Sequence, residues 1–296
     1  MDHLVLETIP RLRRPVGVVA FAGWNDAAGS ATAAARFLVE SFSATRFAYI
    51  EPEDFYNFSE LRPHVRFADG GKKQREIVWP ANEFYYCELP ELSRDVIVGV
   101  GIEPHYHWKT FSELLMRLFQ ECQISLVVSL GALLADVVHT KPVVVTGASG
   151  DPELQARLGM RSSRYEGPTG IVGVLHDCCL GHEIPTVSLW ANVPHYISGL
   201  PNPKATLALV RRIMSLLDLS LDLTELEEST RGFESRLAEA LAEDPKIAAY
   251  VKELEERLAE EEKISRESSD DLPTGKELVE ELERFLRNRK RDPGQS

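Results

Sequence analysis

The sequence predicts an α/β protein: a three-layer αβα domain built on a mixed, mostly parallel sheet, followed by a C-terminal helical extension. Three observations carry this. Short β-rich apolar runs alternate with helical patterns from Pro15 to Leu217, the signature of strands and crossover helices. One of them, RDVIVGVG (Arg94–Gly101), is apolar almost throughout, as a strand covered on both faces must be. The composition then changes near Leu221: residues 222–296 hold 22 acidic and 13 basic side chains, against 24 and 20 in the first 221. The expected domains are therefore 1–221 for the core and 222–296 for an acidic helical extension.

In chain order, PVGVVAFA (Pro15–Ala22) is the first long strand and leads through Gly23-Trp24-Asn25-Asp26 into an alanine-rich helix. There Asp26 or Asn25 is placed to accept hydrogen bonds from the free amides of the helix start. ATRFAYI (Ala44–Ile50), REIVWP (Arg75–Pro80) and EFYYCEL (Glu83–Leu89) read as strands, and the last two are too close for a helical crossover, which predicts a hairpin between them. A helix is expected over Tyr106–Glu121, then strands at Ile124–Ala132 and Lys141–Ser149. The segments SLGAL and VTGAS within those strands each predict a turn at a glycine. Pro168–Glu183 predicts a helix, with Thr169 as a candidate N-cap, and Ile184–Val193 a strand. Asn202 followed by Pro203 marks a helix start running to Leu217.

Beyond that point the pattern is helical. Leu226, Phe233, Leu237 and Leu241 form one stripe; Ile247, Val251, Leu254 and Leu258 form another, restarting after Asp244-Pro245. The stretch EEEKISRESSDDLP is a linker candidate, and TGKE (Thr274–Glu277) has capping-box spacing. Such narrow stripes suit helices that dock on a domain or on a partner, with Leu237, Leu254 and Phe285 as partner-binding positions.

Composition excludes several function classes. A net charge of −13 opposes non-specific nucleic-acid binding. No apolar run approaches the roughly 20 residues that span a bilayer, so no membrane association is expected. No basic start leads into an apolar segment of the kind that directs secretion. Four cysteines without framework spacing fit a reducing cytoplasm. The glycine-rich phosphate-binding fingerprints are missing from the first strand–helix turn, and no Gly-x-Ser-x-Gly elbow occurs. His105 and His107 in one loop, with Glu103 nearby, have the chemistry of metal ligands, but no further ligand can be assigned to complete a set, so neither metal nor cofactor is expected. His195 has Asp136 or Asp177 as a candidate partner for a general base, without an identifiable nucleophile.

The segments GWNDAAGSA, EPEDFYNF, GIEPHYHW, SLGALLADVVHTKPVVVTG, GPTGIVG and VPHYI, in this order over about residues 15–215, resemble the proteasome assembly chaperone 2 family in its bacterial branch. The resemblance extends to DLPTGKELVEELERFL in the extension. It implies an αβα fold like that of nucleoside phosphorylases and peptidyl hydrolases, self-association with a trimer as the first expectation, and a role with proteasome α-type subunits. Some archaeal relatives carry a hydrophobic-Tyr-x ending that docks into proteasome pockets; RKRDPGQS offers none, so that docking mode is not expected here.

Two functions compete. The first is a non-catalytic, self-associating assembly chaperone or scaffold, whose surfaces need no nucleophile. The second is a small-molecule enzyme, a hydrolase or transferase of a nucleoside-like or amide ligand, using a cleft at the strand ends. For it, Gly23, Asn25, Asp26, Glu103, His105, His139, Thr169 and His195 are the candidate cleft residues. His105 and His195 would transfer protons, and Asn25 and Thr169 would orient substrate. That reading expects a deep polar pocket.

Overall fold

The computed structural model describes residues 3–67, 75–151, 154–155, 165–197, 199–243 and 245–270. Its chain falls into two compact units, one ending at Ala240 and one starting at Leu241.

The first unit is organised by an eight-stranded sheet. Its strands are β1 (Leu4–Leu6), β2 (Val16–Ala22), β3 (Thr45–Ile50), β6 (Asn82–Cys87), β7 (Val96–Ile102), β8 (Leu126–Ala135), β9 (Val145–Ser149) and β10 (Thr186–Pro194). In space they run β1-β3-β6-β7-β2-β8-β10-β9. The four central strands β7, β2, β8 and β10 are parallel, while the strands at both margins pair antiparallel. The sheet is thus mixed and mostly parallel at its heart, as expected.

Helices cover both faces. Helix α1 (Ser30–Ser41) and helix α4 (Pro203–Leu217) lie on one face, and α2 (Trp108–Glu121) and α3 (Ile171–Gly181) on the other. The alternation along a single strand shows how the two layers share it. Val16, Val18 and Ala20 of β2 pack with Ala31, Ala34 and Leu38 of α1. Val19 and Phe21 pack with Phe111 and Leu115 of α2. In α1 the buried side chains Ala31, Ala34 and Ala35 are small, which lets the helix lie close to the sheet. Helix α4 starts as the sequence indicates: Asn202 accepts from the Ala205 N–H at 3.0 Å, with Pro203 at the first helical position.

Two further helices complete the described chain. Helix α5 (Thr224–Glu243) is tied to α4 by Arg211–Glu227 and Lys204–Glu234, each at 2.7 Å. In the second unit, α6 runs over Pro245–Asp270.

Four expectations need correction. First, REIVWP and EFYYCEL do not form a hairpin with each other. Strand β5 (Arg75–Val78) instead pairs antiparallel with β4 (His64–Phe67) in a separate two-stranded ribbon, while β6 enters the large sheet between β3 and β7. The three-residue link Trp79–Ala81 is long enough for a hairpin, so loop length does not decide the partner, and the exposed alternation of His64–Phe67 gives no apolar run to mark the strand that β5 does pair with.

Second, Gly131 and Gly147 do not end their strands. Gly131 lies within β8 opposite Trp190, and Gly147 within β9 opposite Leu189. A Cβ at Gly131 would drive into the Trp190 ring, so this glycine makes room for an aromatic neighbour.

Third, Thr169 is not the N-cap of α3. Gly170 holds that position and provides no side chain, and the cap is supplied from elsewhere, as described below. Fourth, the linker candidate is helical as far as Asp270, because its Glu, Lys and Arg side chains support a helix and no proline interrupts before Pro273. Thr274–Glu277 and Phe285 lie outside the described residues.

Candidate functional site

The turn after β2 is a densely bonded joint. Asp26 is 7% exposed, and its Oδ1 accepts from the Ala31 N–H at 2.6 Å. Its other oxygen accepts from the Thr32 hydroxyl and, at 3.3 Å, from the Thr32 N–H. Between Asp26 and α1, a short 3-10 turn (Ala27–Gly29) carries Ala28 and Gly29 at positive φ, 54° and 64°. The carboxylate thus reaches past that turn to satisfy amides at the true helix start. Burial pushes the Asp26 carboxyl above its ordinary range, and the hydrogen bonds from Thr32 and Ala31 oppose that rise.

Asn25, 1% exposed, donates from Nδ2 to Glu103 Oε1 at 2.6 Å. The same oxygen accepts from the Ile171 N–H at 2.8 Å, so Glu103 supplies the cap that α3 lacks locally. One carboxylate at the end of β7 therefore fastens the turn after β2 to the start of α3. Gly23, with φ of 129°, permits this approach: a Cβ there would lie 3.1 Å from Glu103 Cβ. On the other side, the Ala132 N–H of β8 donates to Asn25 O at 2.8 Å. Gly23, Asn25, Asp26 and Glu103 are brought together; Asp26 and Glu103 hold backbone amides, while Asn25 donates to Glu103 and its Oδ1 is buried without a hydrogen-bond partner among the described residues.

The histidines disperse. His105 Nδ1 accepts from the Asn57 N–H at 2.9 Å and fixes the loop after β3. Tyr196 Oη lies 2.8 Å from His139 Nδ1 and accepts from the His139 N–H at 2.9 Å. His139 lines a small hollow of about 20 Å³ with Pro142 and Phe233. His195 Nδ1 lies 3.3 Å from Asp136 Oδ1, so Asp136 is the partner rather than Asp177. Among the described residues, no three His, Cys, Asp or Glu side chains converge as a metal-binding group. Leu237 on α5 and Leu254 on α6 are buried side chains rather than surface ones.

A large open cleft of about 1090 Å³ does lie at the ends of the central strands. Of the eight candidates only Gly23 and Thr169 line it. Its walls are mainly Trp24 and Ala28 from the first turn, Leu133 and Leu134 from the end of β8, Val144 and Thr146 beside and in β9, Tyr165 and Gly170 before α3, and Trp190 of β10, with Ser188 of β10 and Arg212 of α4 also on the lining. The cleft is mainly apolar and aromatic, contrary to the deep polar pocket an enzyme of polar ligands would need. Reasoning from polar residue types missed these walls. The available signal was Leu133-Leu134, two consecutive leucines after the glycine, which cannot both face the core of a pleated strand. Both are exposed.

The PAC2 family profile matches residues 20–241. A PAC2 family protein from Streptomyces avermitilis is 42% identical, with a TM-score of 0.72, over 76% of this chain and 95% of its own. A proteasome-assembly chaperone homologue from Mycobacterium tuberculosis is also 42% identical at a TM-score of 0.72, over 80% of this chain and 99% of its own. An archaeal proteasome activator from Pyrococcus furiosus shares the fold at 18% identity and a TM-score of 0.66, over 80% of this chain and 97% of its own. No curated protein sequence gives a match.

Proposed function

This chain belongs to the PAC2 family, and from that premise we propose that it is a proteasome-assembly-related protein acting as a non-catalytic, self-associating scaffold in the cytoplasm. The observation that carries the reading is the character of the strand-end cleft. It is wide, open and mainly apolar and aromatic, with Thr146, Thr169, Ser188 and Arg212 as the polar side chains on its lining, while Asp26 and Glu103, outside that lining, are engaged in holding backbone amides. A surface of this kind suits burial against another protein, where aromatic side chains supply most of the contact energy. The likeness to the mycobacterial proteasome-assembly chaperone homologue supports proteasome components as the partner class, and the α-type subunits are the ones we take for the test.

The enzyme reading draws on one observation, the His195–Asp136 pair, which could orient an imidazole as a base. Neither residue lines the cleft, so the pair has no cavity in which to meet a substrate there. The scaffold reading is therefore preferred.

The test is native mass spectrometry of the full chain, alone and mixed with proteasome α-type subunits of the same organism. Homo-oligomers together with a defined mixed complex are expected. A chain that ignores those subunits overturns the proteasome assignment; a chain that stays monomeric overturns self-association.

A further inference from the structure

The ribbon of β4 and β5 stands apart from the eight-stranded sheet, and all eight of its strand residues are exposed. Its register sorts them onto two faces. Arg66 and Glu76 pair across one face at 2.9 Å, beside His64 and Val78. Val65, Phe67 and Ile77 share the other with Arg75, and Trp79 continues that side past the end of β5. Val65 is 50% exposed, Phe67 67%, Ile77 55% and Trp79 46%. A lone two-stranded ribbon is marginal in water, and one that shows an apolar face to solvent lacks the layer that would stabilise it.

The base of this arm is well anchored. Trp79 meets Phe58 edge-on with ring centroids 5.0 Å apart, and Asn82, three residues further on, accepts from the Ile102 N–H at 2.9 Å at the end of β7. The arm therefore leaves the sheet at the carboxyl end of β7. The cleft opens at the carboxyl ends of β2 and β8, the next two strands. One chain thus carries an uncovered apolar arm and an uncovered apolar cleft on the same sheet edge, and the exposure of Phe67 and Ile77 shows that the arm does not occupy its own cleft.

We propose that the β4–β5 arm of one chain packs its Val65, Phe67, Ile77 and Trp79 face into the Trp24, Leu133, Leu134 and Tyr165 cleft of a second copy. This specifies, and rests on, the self-association in the scaffold reading. The areas support a second copy as the occupant. The arm face exposes on the order of 400 Å² and the cleft lining on the order of 300 Å², so a chain that gives one arm and receives another buries about 700 Å², close to the usual share per partner in a stable interface. An arm meeting only an unrelated surface would leave the cleft uncovered.

The exchange makes a sharp test possible with full-length chains. An arm variant, Phe67→Asp with Ile77→Asp, keeps its cleft; a cleft variant, Trp24→Ser with Leu134→Asp, keeps its arm. All four positions are exposed in the single chain, and circular dichroism confirms that each variant is folded. In sedimentation velocity and native mass spectrometry, each variant alone is expected to dissociate, its constant raised by about 30-fold or more, as for loss of a central anchor. Mixed together, the two restore one intact arm–cleft contact and form one-to-one pairs. Unaltered assembly of either variant, or a mixture that stays monomeric, overturns the arm-in-cleft contact while leaving self-association standing. A monomeric unmodified chain overturns both.

Discussion

Removing Glu103 tests whether the strand-end turn is a structural joint. In Glu103→Ala the Ile171 N–H loses its acceptor at the start of α3, and Asn25 Nδ2, on a side chain 1% exposed, loses the carboxylate it donates to. A buried donor left without a partner costs about 1–3 kcal/mol, and loss of a helix cap costs about 1 kcal/mol more. The expected loss is about 3 kcal/mol, or a fall in Tm of roughly 6–12 °C for a domain of this size. Glu103→Gln keeps an acceptor at the same reach and gives up only the charge facing the helix end, about 1 kcal/mol. Differential scanning calorimetry should therefore rank the chains native, Gln, Ala. Hydrogen exchange should show the loss of protection concentrated in the first turn of α3 and around Asn25. Equal melting of the Ala and Gln variants, or unchanged protection at Ile171–Val174, would refute the idea that this carboxylate joins the three elements.

Three other outcomes are expected. Gly131→Ala pushes a methyl into Trp190 and should destabilise by about 1–3 kcal/mol in urea unfolding, with much of the loss recovered in the double variant with Trp190→Leu. Asp95 accepts from the Arg13 and Leu89 N–H groups at 2.6 and 2.9 Å and pairs with the Arg13 guanidinium; burial pushes its carboxyl up, but these bonds outweigh burial and hold it below the ordinary range. Its contribution is then full above about pH 4 and lost as pH falls through the lowered folded value, so the stability gap between the native chain and Asp95→Asn, about 2 kcal/mol at pH 7, should close in acid. Burial pushes the thiols of Cys122 and Cys179 up to about 11 and about 12, so iodoacetamide at neutral pH should spare both in the folded chain and modify them after unfolding, as read by peptide mass spectrometry.

The sequence showed most of the fold because periodicity records burial. Val16–Ala22 and Val96–Ile102 are apolar throughout since helices cover both of their faces, and Asn202-Pro203 announces α4 through the chemistry of its own cap. What depends on pairing was hidden. Nothing local in Arg75–Val78 tells that it joins His64–Phe67 rather than Asn82–Cys87, and Gly131 reads as a turn until Trp190 is placed beside it. The candidate site divides in the same way. Asp26 was legible as a capping group because its targets are five and six residues ahead. Glu103 was legible only as a carboxylate in a polar loop, because the groups it serves lie 78 and 68 residues away in sequence.

The same geometry explains how a sheet edge that commonly hosts ligands can serve protein contact instead. At the ends of β2 and β7, the side chains able to do polar chemistry are drawn inward to close the joints between strands and helices. At its end β8 continues three residues beyond the core, with Leu133 and Leu134 in the open, and Trp190 of β10 lines the same cleft. Buried polar groups committed to backbone give a rigid frame, and exposed aromatic and leucine side chains on that frame lose little freedom when covered. A frame of that kind favours binding over turnover, since acid–base chemistry needs carboxylates or imidazoles on the cavity and the lining holds none, only Arg212 and the hydroxyls of Thr146, Thr169, Ser188 and Tyr165. Glu103→Gln, which keeps the acceptor and gives up the charge, should consequently lower stability without altering self-association, which separates the role of the joint from that of the surface it supports.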